Sequence, residues 1–393
     1  MRKYIPIQPA NQPEIPNALF LCFDFPIWNQ AKMWSYVSSY LLYHEGRKFL
    51  DCELQIVSHE SSEAKNDLLI KNLTNGRYFE LIVVWLPHAN YSEKSIRHLK
   101  NVCNRIIFLL VESLVYSKQD IAELPHLANR WAEVTSLLTP ESFVICLCPL
   151  TARLLNESGF NAIHIFGFWP EHLPKNIEHK ERSSSYAFAA SLYNETRRSA
   201  ANRVKQIETD LCLRRLEIED DPNITSEFDL QMAALMRDDE LYGGNMPLER
   251  SALCDEIAET RKVLWEEYLR LISKADFMIT LPSYFKGAPG RVIEAILFKV
   301  PVIFYQSNLA LADREMLIRT SGVYFSEDED LACTVKNLYK TSAKDTDSID
   351  LTPTEVFPTV EGILTNIRSS PLSPRRLTAF QKLKKLFLDR CTI

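Results

Sequence analysis

The chain has 393 residues, more than one hydrophobic core usually serves, so two domains of ordinary size are expected. Hydrophobic residues make up 46% and charged residues 24%, the proportions of a globular soluble chain, which sets bulk disorder aside. A formal net charge of -6 excludes a general electrostatic grip on a nucleic-acid backbone, which needs a basic face.

The N-terminal stretch MRKYIPIQPANQPEIPNALF has prolines and polar residues where a signal peptide needs an apolar run. No segment approaches about 18 uninterrupted apolar residues, so a cytoplasmic chain without a transmembrane helix is expected. The nine cysteines are scattered, and only Cys146 and Cys148 lie close together, a spacing that suits neither a zinc site nor a secreted disulfide framework. Glycine is scarce, at 10 residues, and no GxGxxG or Walker loop occurs. All eight histidines lie between His44 and His179, so an imidazole base must come from the first half.

In chain order, the apolar runs Ala18–Phe25, Leu54–Ser58, Glu80–Pro87, Arg105–Glu112, Ser142–Cys148 and Ala162–Phe168 read as buried strands. Helix-length segments such as Ala31–Gly46, Ser92–Cys103 and Pro149–Gly159 separate them. Near-continuous apolar strands alternating with helices predict a parallel sheet covered on both faces. Ligands of such sheets bind beyond the carboxyl ends of the strands. Asp24, His88 and Glu112 stand at three of those ends, and a carboxylate or imidazole there suits a general base. Each also has a plain structural reading: Asp24 caps a turn before Pro26, His88 is a loop residue after Pro87, and Glu112 caps a helix. Trp28, Trp34, Trp85 and Trp169 read either as core or as a sugar-stacking platform.

The polar stretch PEHLPKNIEHKERSSS, Pro170 to Ser185, marks a joint. It divides the chain into a first domain over 1–175, a linker over 176–185, a second domain over 186–362 and a tail over 363–393. The second domain restarts the pattern with YAFAAS (Tyr186–Ser191) and a long helix through Glu208. A strand-like LRRLEIE, a charged helix from about Pro247 to Ser273, and the strands DFMITL, VPVIFYQ and GVYFS follow. The duplication is architectural, with no close repeat in sequence. In the tail, Ser373 and Pro374 start a basic amphipathic helix with Leu377, Phe380, Leu383, Leu386 and Phe387 on one side. Packing back on the body is its bland reading; weak peripheral contact with an anionic membrane surface is the other.

Two strand-to-helix junctions of the second half carry chemistry. In AASLYNETRRSAANRV the strand ends near Ser191, Asn194 can cap the next helix, and Arg197 and Arg198 fall in its first turn. Cations there oppose the helix dipole, a penalty that a bound anion reverses. The alternative is that the arginines are exposed or paired with Glu195 or Glu208. The second junction, LPSYFKGAPG followed by RVIEAILF, brings Lys286, Gly287, Gly290 and Arg291 to the start of an apolar helix holding Glu294. The glycines let backbone approach a ligand closely, and the cations suit an anion. A carboxylate buried in such a helix requires a partner, either Arg291 three residues earlier or a ligand.

A strand, then "EA" on a short apolar helix, then "PVIF" resembles the donor-site segment of GT-B glycosyltransferases. The resemblance is to the group 1 (GT4-like) enzymes and to the bacterial relatives of the spore-maturation protein CgeB. In those relatives a strand ending in "GS" and an arginine pair opens the second domain, as AASLYNETRR does here, and "R-x-x-E-A" is matched by Arg291, Glu294 and Ala295. The resemblance implies an α/β fold of two Rossmann-like domains facing a cleft, with a C-terminal helix packing back. It implies sugar transfer from a nucleotide diphosphate sugar, UDP- or GDP-linked and bound mainly by the second domain, to an acceptor in the interdomain cleft, the first domain forming the acceptor side. Glu294 would hydrogen-bond the ribose, while Ser191, Arg197, Arg198, Lys286 and the loop amides would hold the diphosphate. No cofactor and no obligatory metal are implied, and no D-x-D site appears: EDED (Glu327–Asp330) and the aspartates at 220 and 221 read as solvated turns. Two departures stand out: the position eight before Glu294 is Lys286 where group 1 enzymes carry the first glutamate of an E-x7-E pair, and Ala190 precedes Ser191 where a glycine is usual. They motivate two rivals, a non-catalytic GT-B-like binding or scaffold protein and a sugar-nucleotide epimerase or hydrolase.

Overall fold

A computed structural model of the chain describes residues 17–24, 40–58, 61–86, 90–139, 142–165, 184–188, 195–216, 222–241, 248–281, 292, 294–295, 298–305, 322–327, 330–345 and 362. The strands of the first half are β1 (Asn17–Asp24), β2 (Asp51–Ser58), β3 (Phe79–Leu86), β4 (Cys103–Leu110), β5 (Phe143–Cys146) and β6 (Asn161–His164). All their pairings are parallel, in the order β2-β1-β3-β4-β5-β6. Every residue of β3, FELIVVWL, is buried except Glu80, which is why this strand reads as a continuous apolar run and not as an alternating one. Between the strands run α1 (Leu41–Gly46), α2 (Glu63–Leu73), α3 (Glu93–Asn101), α4 (Lys118–Glu123), α5 (Arg130–Leu137) and α6 (Pro149–Glu157). Ser62, Ser92 and Ser117 cap α2, α3 and α4 through their side chains, each accepting a backbone N–H of the first turn.

The second half forms a sheet of β7 (Ser185–Phe188), β8 (Arg214–Leu216), β9 (Phe277–Thr280), β10 (Val302–Tyr305) and β11 (Val323–Ser326). It too is parallel, in the order β11-β10-β9-β7-β8. Counted from its own first strand this is 2-1-3-4-5, the winding that β1 to β5 follow, so the expected duplication of architecture is present. The fold is thus α/β with two doubly wound sheets in tandem. Helices α7 (Glu195–Asp210), α8 (Pro222–Leu241), α9 (Leu248–Ser273) and α10 (Leu331–Asp345) complete the described elements. Helices α8 and α10 have no counterpart in the sequence reading, although Phe228, Met232 and Leu235 repeat at helical spacing and are fully buried. The linker up to residue 183 and the tail helix over 373–393 lie outside the described residues. Ser185, assigned to the linker, opens β7, its N–H donating to the Asp276 carboxylate at 2.9 Å.

The two faces of the second sheet bury into different cores. Tyr186, Phe188, Ile279, Ile303 and Tyr305 pack with Ala200, Val204 and Ile207 of α7 and with Leu331, Val335 and Leu338 of α10. Ala187, Met278, Val302 and Phe304 alternate with them and face the large core shared with α8, α9 and the first sheet.

Helix α9 makes that sharing possible. Its 26 residues span about 39 Å at 1.5 Å per residue. Arg250, Cys254, Ile257, Ala258, Arg261, Trp265, Tyr268, Leu269 and Ile272 form one buried face at helical spacing. Its N-terminal half lies on β2, the outer strand of the first sheet. The Arg250 guanidinium donates to the Ile56 carbonyl at 2.9 Å, and the Ile56 N–H donates to Cys254 Sγ at 3.4 Å. The two groups that Ile56 turns away from β1 are thus both satisfied by a helix from the second half. Around this contact the Tyr43 hydroxyl donates to Asp255, and His44 and Arg47 meet Glu259 at 3.2 and 3.3 Å. Arg261, fully buried, lies over the rings of Tyr40 and Phe228, 5.6 and 5.0 Å from their centroids.

Two outcomes follow from this packing. Arg250→Ala leaves the buried Ile56 carbonyl without its donor and should lower stability by about 1–3 kcal/mol in urea unfolding, with the slope unchanged. His164 is held by burial at a pKa of about 4 against an ordinary 6.5. Its unfolded form takes up a proton first, so stability should rise from about pH 4 to 6.5 and level off above, by at most about 3 kcal/mol from this group. Denaturant titrations across that window should show a shallower rise in His164→Gln.

Candidate functional site

A doubly wound sheet offers its binding crevice where the chain reverses its direction of winding, outside the carboxyl ends of the two strands that flank the reversal. In the first sheet β1 lies between β2 and β3, so the reversal falls between β1 and β3. In the second, β7 lies between β8 and β9, and the reversal falls between β7 and β9. The junction of Ser191, Arg197 and Arg198 follows β7, and the junction of Lys286 to Glu294 follows β9. Two segments about 90 residues apart in sequence therefore start from neighbouring strand ends, with Ala187 and Phe188 of β7 paired to Met278 and Ile279 of β9. On the first sheet Asp24 ends β1 in register with Ser58, His88 is two residues past the end of β3, and Glu112 is two past the end of β4.

The Asp24 side chain and residues His88, Ser191, Lys286, Gly287, Gly290 and Arg291 lie outside the described residues. Those that are described occupy well-defined surroundings. Arg197 is 2% exposed and shares the inner face of α7 with Ala200, Val204 and Ile207, at the end of the helix nearest the carboxyl edge of the sheet. Arg198 points outward and pairs with Glu195 at 3.0 Å, both side chains being largely exposed. Glu208, the other carboxylate considered for these arginines, instead accepts from the Tyr186 hydroxyl at 2.8 Å. The arginine pair thus divides into a buried cation and a solvated one.

Glu294 is 3% exposed, between the fully buried Val292 and Ala295. The indole N–H of Trp265, on α9, donates to its Oε1 at 2.6 Å. This partner supplies part of the answer to why a carboxylate stands in an apolar helix, and sequence reasoning missed it. The pair is 29 residues apart, and nothing local to either residue announces it.

Glu112 is also 3% exposed. It does not cap α4, whose first turn is held by Ser117 and Asp120. The loop it opens is pinned by Thr151 Oγ1, which accepts the Leu114 N–H at 2.9 Å, and by the Ser113 hydroxyl, which donates to the Val115 carbonyl at 3.0 Å. Burial, and then the Glu112 carboxylate nearby, hold the Tyr116 phenol well above its ordinary range, with Arg130 acting in the opposite sense. The same loop leads into α4, where Gln119 Nε2 donates to Thr196 Oγ1 at 3.4 Å. Thr196 is the residue before Arg197, so α4 of the first half reaches the first turn of α7 in the second. Trp85 is core: it is 2% exposed, with its ring 4.2 Å from that of Phe23.

Among the described residues no group of three or more His, Cys, Asp or Glu is arranged to hold a metal ion. The Asp330 N–H closes a turn on the Glu327 carbonyl at 3.1 Å, in keeping with a solvated turn there. Among the described residues no helix is long and apolar enough to cross a membrane.

No family model matches the sequence, and no curated protein does. Solved structures of similar chain course include Staphylococcus aureus MnaA with UDP, at 12% identity and a TM-score of 0.47, covering 90% of this chain and 96% of that one. A glycosyltransferase from Rickettsia africae follows at 13% identity and 0.45, covering 96% and 98%. Anabaena HepE with UDP and glucose gives 12% and 0.42, covering 90% and 100%.

The contrast between the two arginines is measurable. Arg198→Ala should change unfolding free energy by no more than about 0.5 kcal/mol, as an exposed i,i+3 pair does. Arg197→Ala, which empties a buried position, should cost about 2–3 kcal/mol in the same denaturant titration.

Proposed function

We propose that the chain is a GT-B glycosyltransferase that moves a sugar from a nucleotide diphosphate sugar to an acceptor hydroxyl. The observation that carries this reading is the position of the two charged junctions, which start from adjacent strand ends at the winding reversal of the second sheet. In this reading residues 186–362 form the donor domain and 1–175 the acceptor side. The buried Arg197, with Arg198, Ser191, Lys286, Arg291 and the amides around Gly287 and Gly290, binds the diphosphate, and Glu294 binds the ribose. The bond from the anomeric carbon to the diphosphate oxygen breaks, and negative charge gathers on the departing nucleoside diphosphate. Fixed cations and a helix N-terminus stabilise that charge in place of a divalent metal. The acceptor oxygen forms the new bond, and its proton passes to a base at a strand end of the first sheet, among Asp24, His88 and Glu112. Glu112 has the added support that its loop leads into α4, whose Gln119 donates to Thr196 in the first turn of α7.

A second reading has one observation in its favour. Glu294 already has a protein partner in Trp265, so the carboxylate fits equally a fold kept for binding or scaffolding. A third, epimerase or hydrolase chemistry on the same donor site, differs in needing no acceptor.

Calorimetry and thermal shift against UDP-, GDP-, ADP-, CMP- and dTDP-sugars separate these readings. The transferase reading expects one nucleotide class to stabilise the protein by about 2.7 kcal/mol at 100 times its dissociation constant, and Glu294→Ala to lose that gain. Absence of binding by every class removes the reading. Binding without turnover favours the scaffold, and turnover without an acceptor favours the epimerase or hydrolase.

A further inference from the structure

The hydrogen bond between Trp265 and Glu294 joins two elements that the donor-site reading treats separately. Trp265 lies two turns before the end of α9, and Glu294 lies on the segment that follows the β9 junction. Both are almost fully buried, and the indole N–H to Oε1 distance is 2.6 Å. An indole is a donor only, so the geometry leaves no ambiguity about direction. A neutral acceptor, a glutamine or a backbone carbonyl, would satisfy that donor without removing a charge from water. A carboxylate at this point is therefore more than the indole requires, while the indole restricts its Oε1. Val292 and Ala295 are fully buried on either side, which fixes the backbone that carries Glu294. The remaining freedom is in the side-chain torsions, and a charge-assisted hydrogen bond donated by a ring that is itself 2% exposed narrows it.

We infer that Trp265 is a positioning residue for Glu294: its indole N–H holds the carboxylate in the orientation in which it meets the ribose hydroxyls of a bound nucleoside diphosphate. The inference rests on the nucleotide-sugar reading above and adds to it a residue that touches no ligand. Its second consequence is geometric. Trp265 shares its helix with Arg250 and Cys254, which grip the outer strand of the first sheet, so the carboxylate is referenced to the acceptor side through one rigid element.

The test measures discrimination, which a merely structural role leaves untouched. Calorimetry gives the ratio of dissociation constants for 2′-deoxy-UDP over UDP, and likewise for the deoxy and ribo forms of GDP, in wild type, Trp265→Phe and Glu294→Gln. Phenylalanine keeps most of the ring volume and removes the N–H. The ratio should fall about fivefold or more in each single variant, with no further fall in the double variant. In wild type, the indole resonance that shifts in Glu294→Gln should move on saturation with UDP and much less with the deoxy form, a readout that holds if Trp265→Phe fails to fold. An unchanged ratio in a folded Trp265→Phe with a lowered melting temperature overturns the inference, as does an indole resonance that ignores UDP. If none of the five nucleotide classes binds the wild type, the nucleotide reading falls and this role with it; if another class binds in place of UDP and GDP, the same ratio is taken with its deoxy and ribo forms. If they bind and discrimination survives the loss of the N–H, only the role of Trp265 falls.

Discussion

Ile56 holds the two halves of the molecule in register. It sits on the outermost strand of the first sheet, where the N–H and C=O turned away from β1 have no neighbouring strand. A buried backbone group without a partner costs free energy comparable to a lost hydrogen bond, so an uncovered edge is a liability. Here the cover comes from a helix of the other half: a guanidinium for the carbonyl and a thiol for the N–H. The thiol in turn contacts the Gln55 side-chain oxygen at 3.8 Å, and the Arg250 guanidinium also faces the Leu235 carbonyl of α8 at 3.5 Å. Side chains suited to an aqueous surface are buried at this contact because the strand edge provides polar partners for them.

That contact explains a feature of the core that strand order alone does not. Two sheets wound in the same order need not share an interior, yet one cluster runs from the strands of the first through α8 and α9 to one face of the second. The opposite face of the second sheet keeps a smaller core of its own beneath α7 and α10. The two strand-to-helix junctions of the second half divide accordingly. Arg197 lies on the buried face of α7 beside Ala200 and Val204 of the smaller core, whereas Trp265 and the neighbours of Glu294, Val292 and Ala295, belong to the shared one.

Much of the architecture was legible in the sequence because parallel strands buried on both faces leave long apolar runs, as FELIVVWL does. Helix α9 was legible by its length and charge. Helix α8 was not: the aspartates at 220 and 221 suggested a turn, and the polar Thr225, Ser226 and Glu227 mask the spacing of Phe228, Met232 and Leu235. The junction at Arg197 and Arg198 was found, but not that one arginine would be buried and the other paired with Glu195, since adjacent helix positions point about 100° apart and only the packing says which faces inward. The anomaly of Glu294 was visible as a charge in an apolar run; its partner was not, because tertiary contact across 29 residues leaves no local pattern.

The separation between Ile56 and Arg250 is 194 residues. At ordinary ribosomal speeds of about 5–20 residues per second, roughly 10 to 40 s pass between the synthesis of β2 and that of the helix that covers it. During that interval the nascent first half carries an open strand edge beside apolar surface destined for α8 and α9, a template for pairing with any other extended chain. The start of β2 works against this, since Asp51, Cys52 and Glu53 put two carboxylates into its first three residues. One strand therefore meets two demands, with the charges at its start serving the unfinished chain and Ile56 serving the finished one.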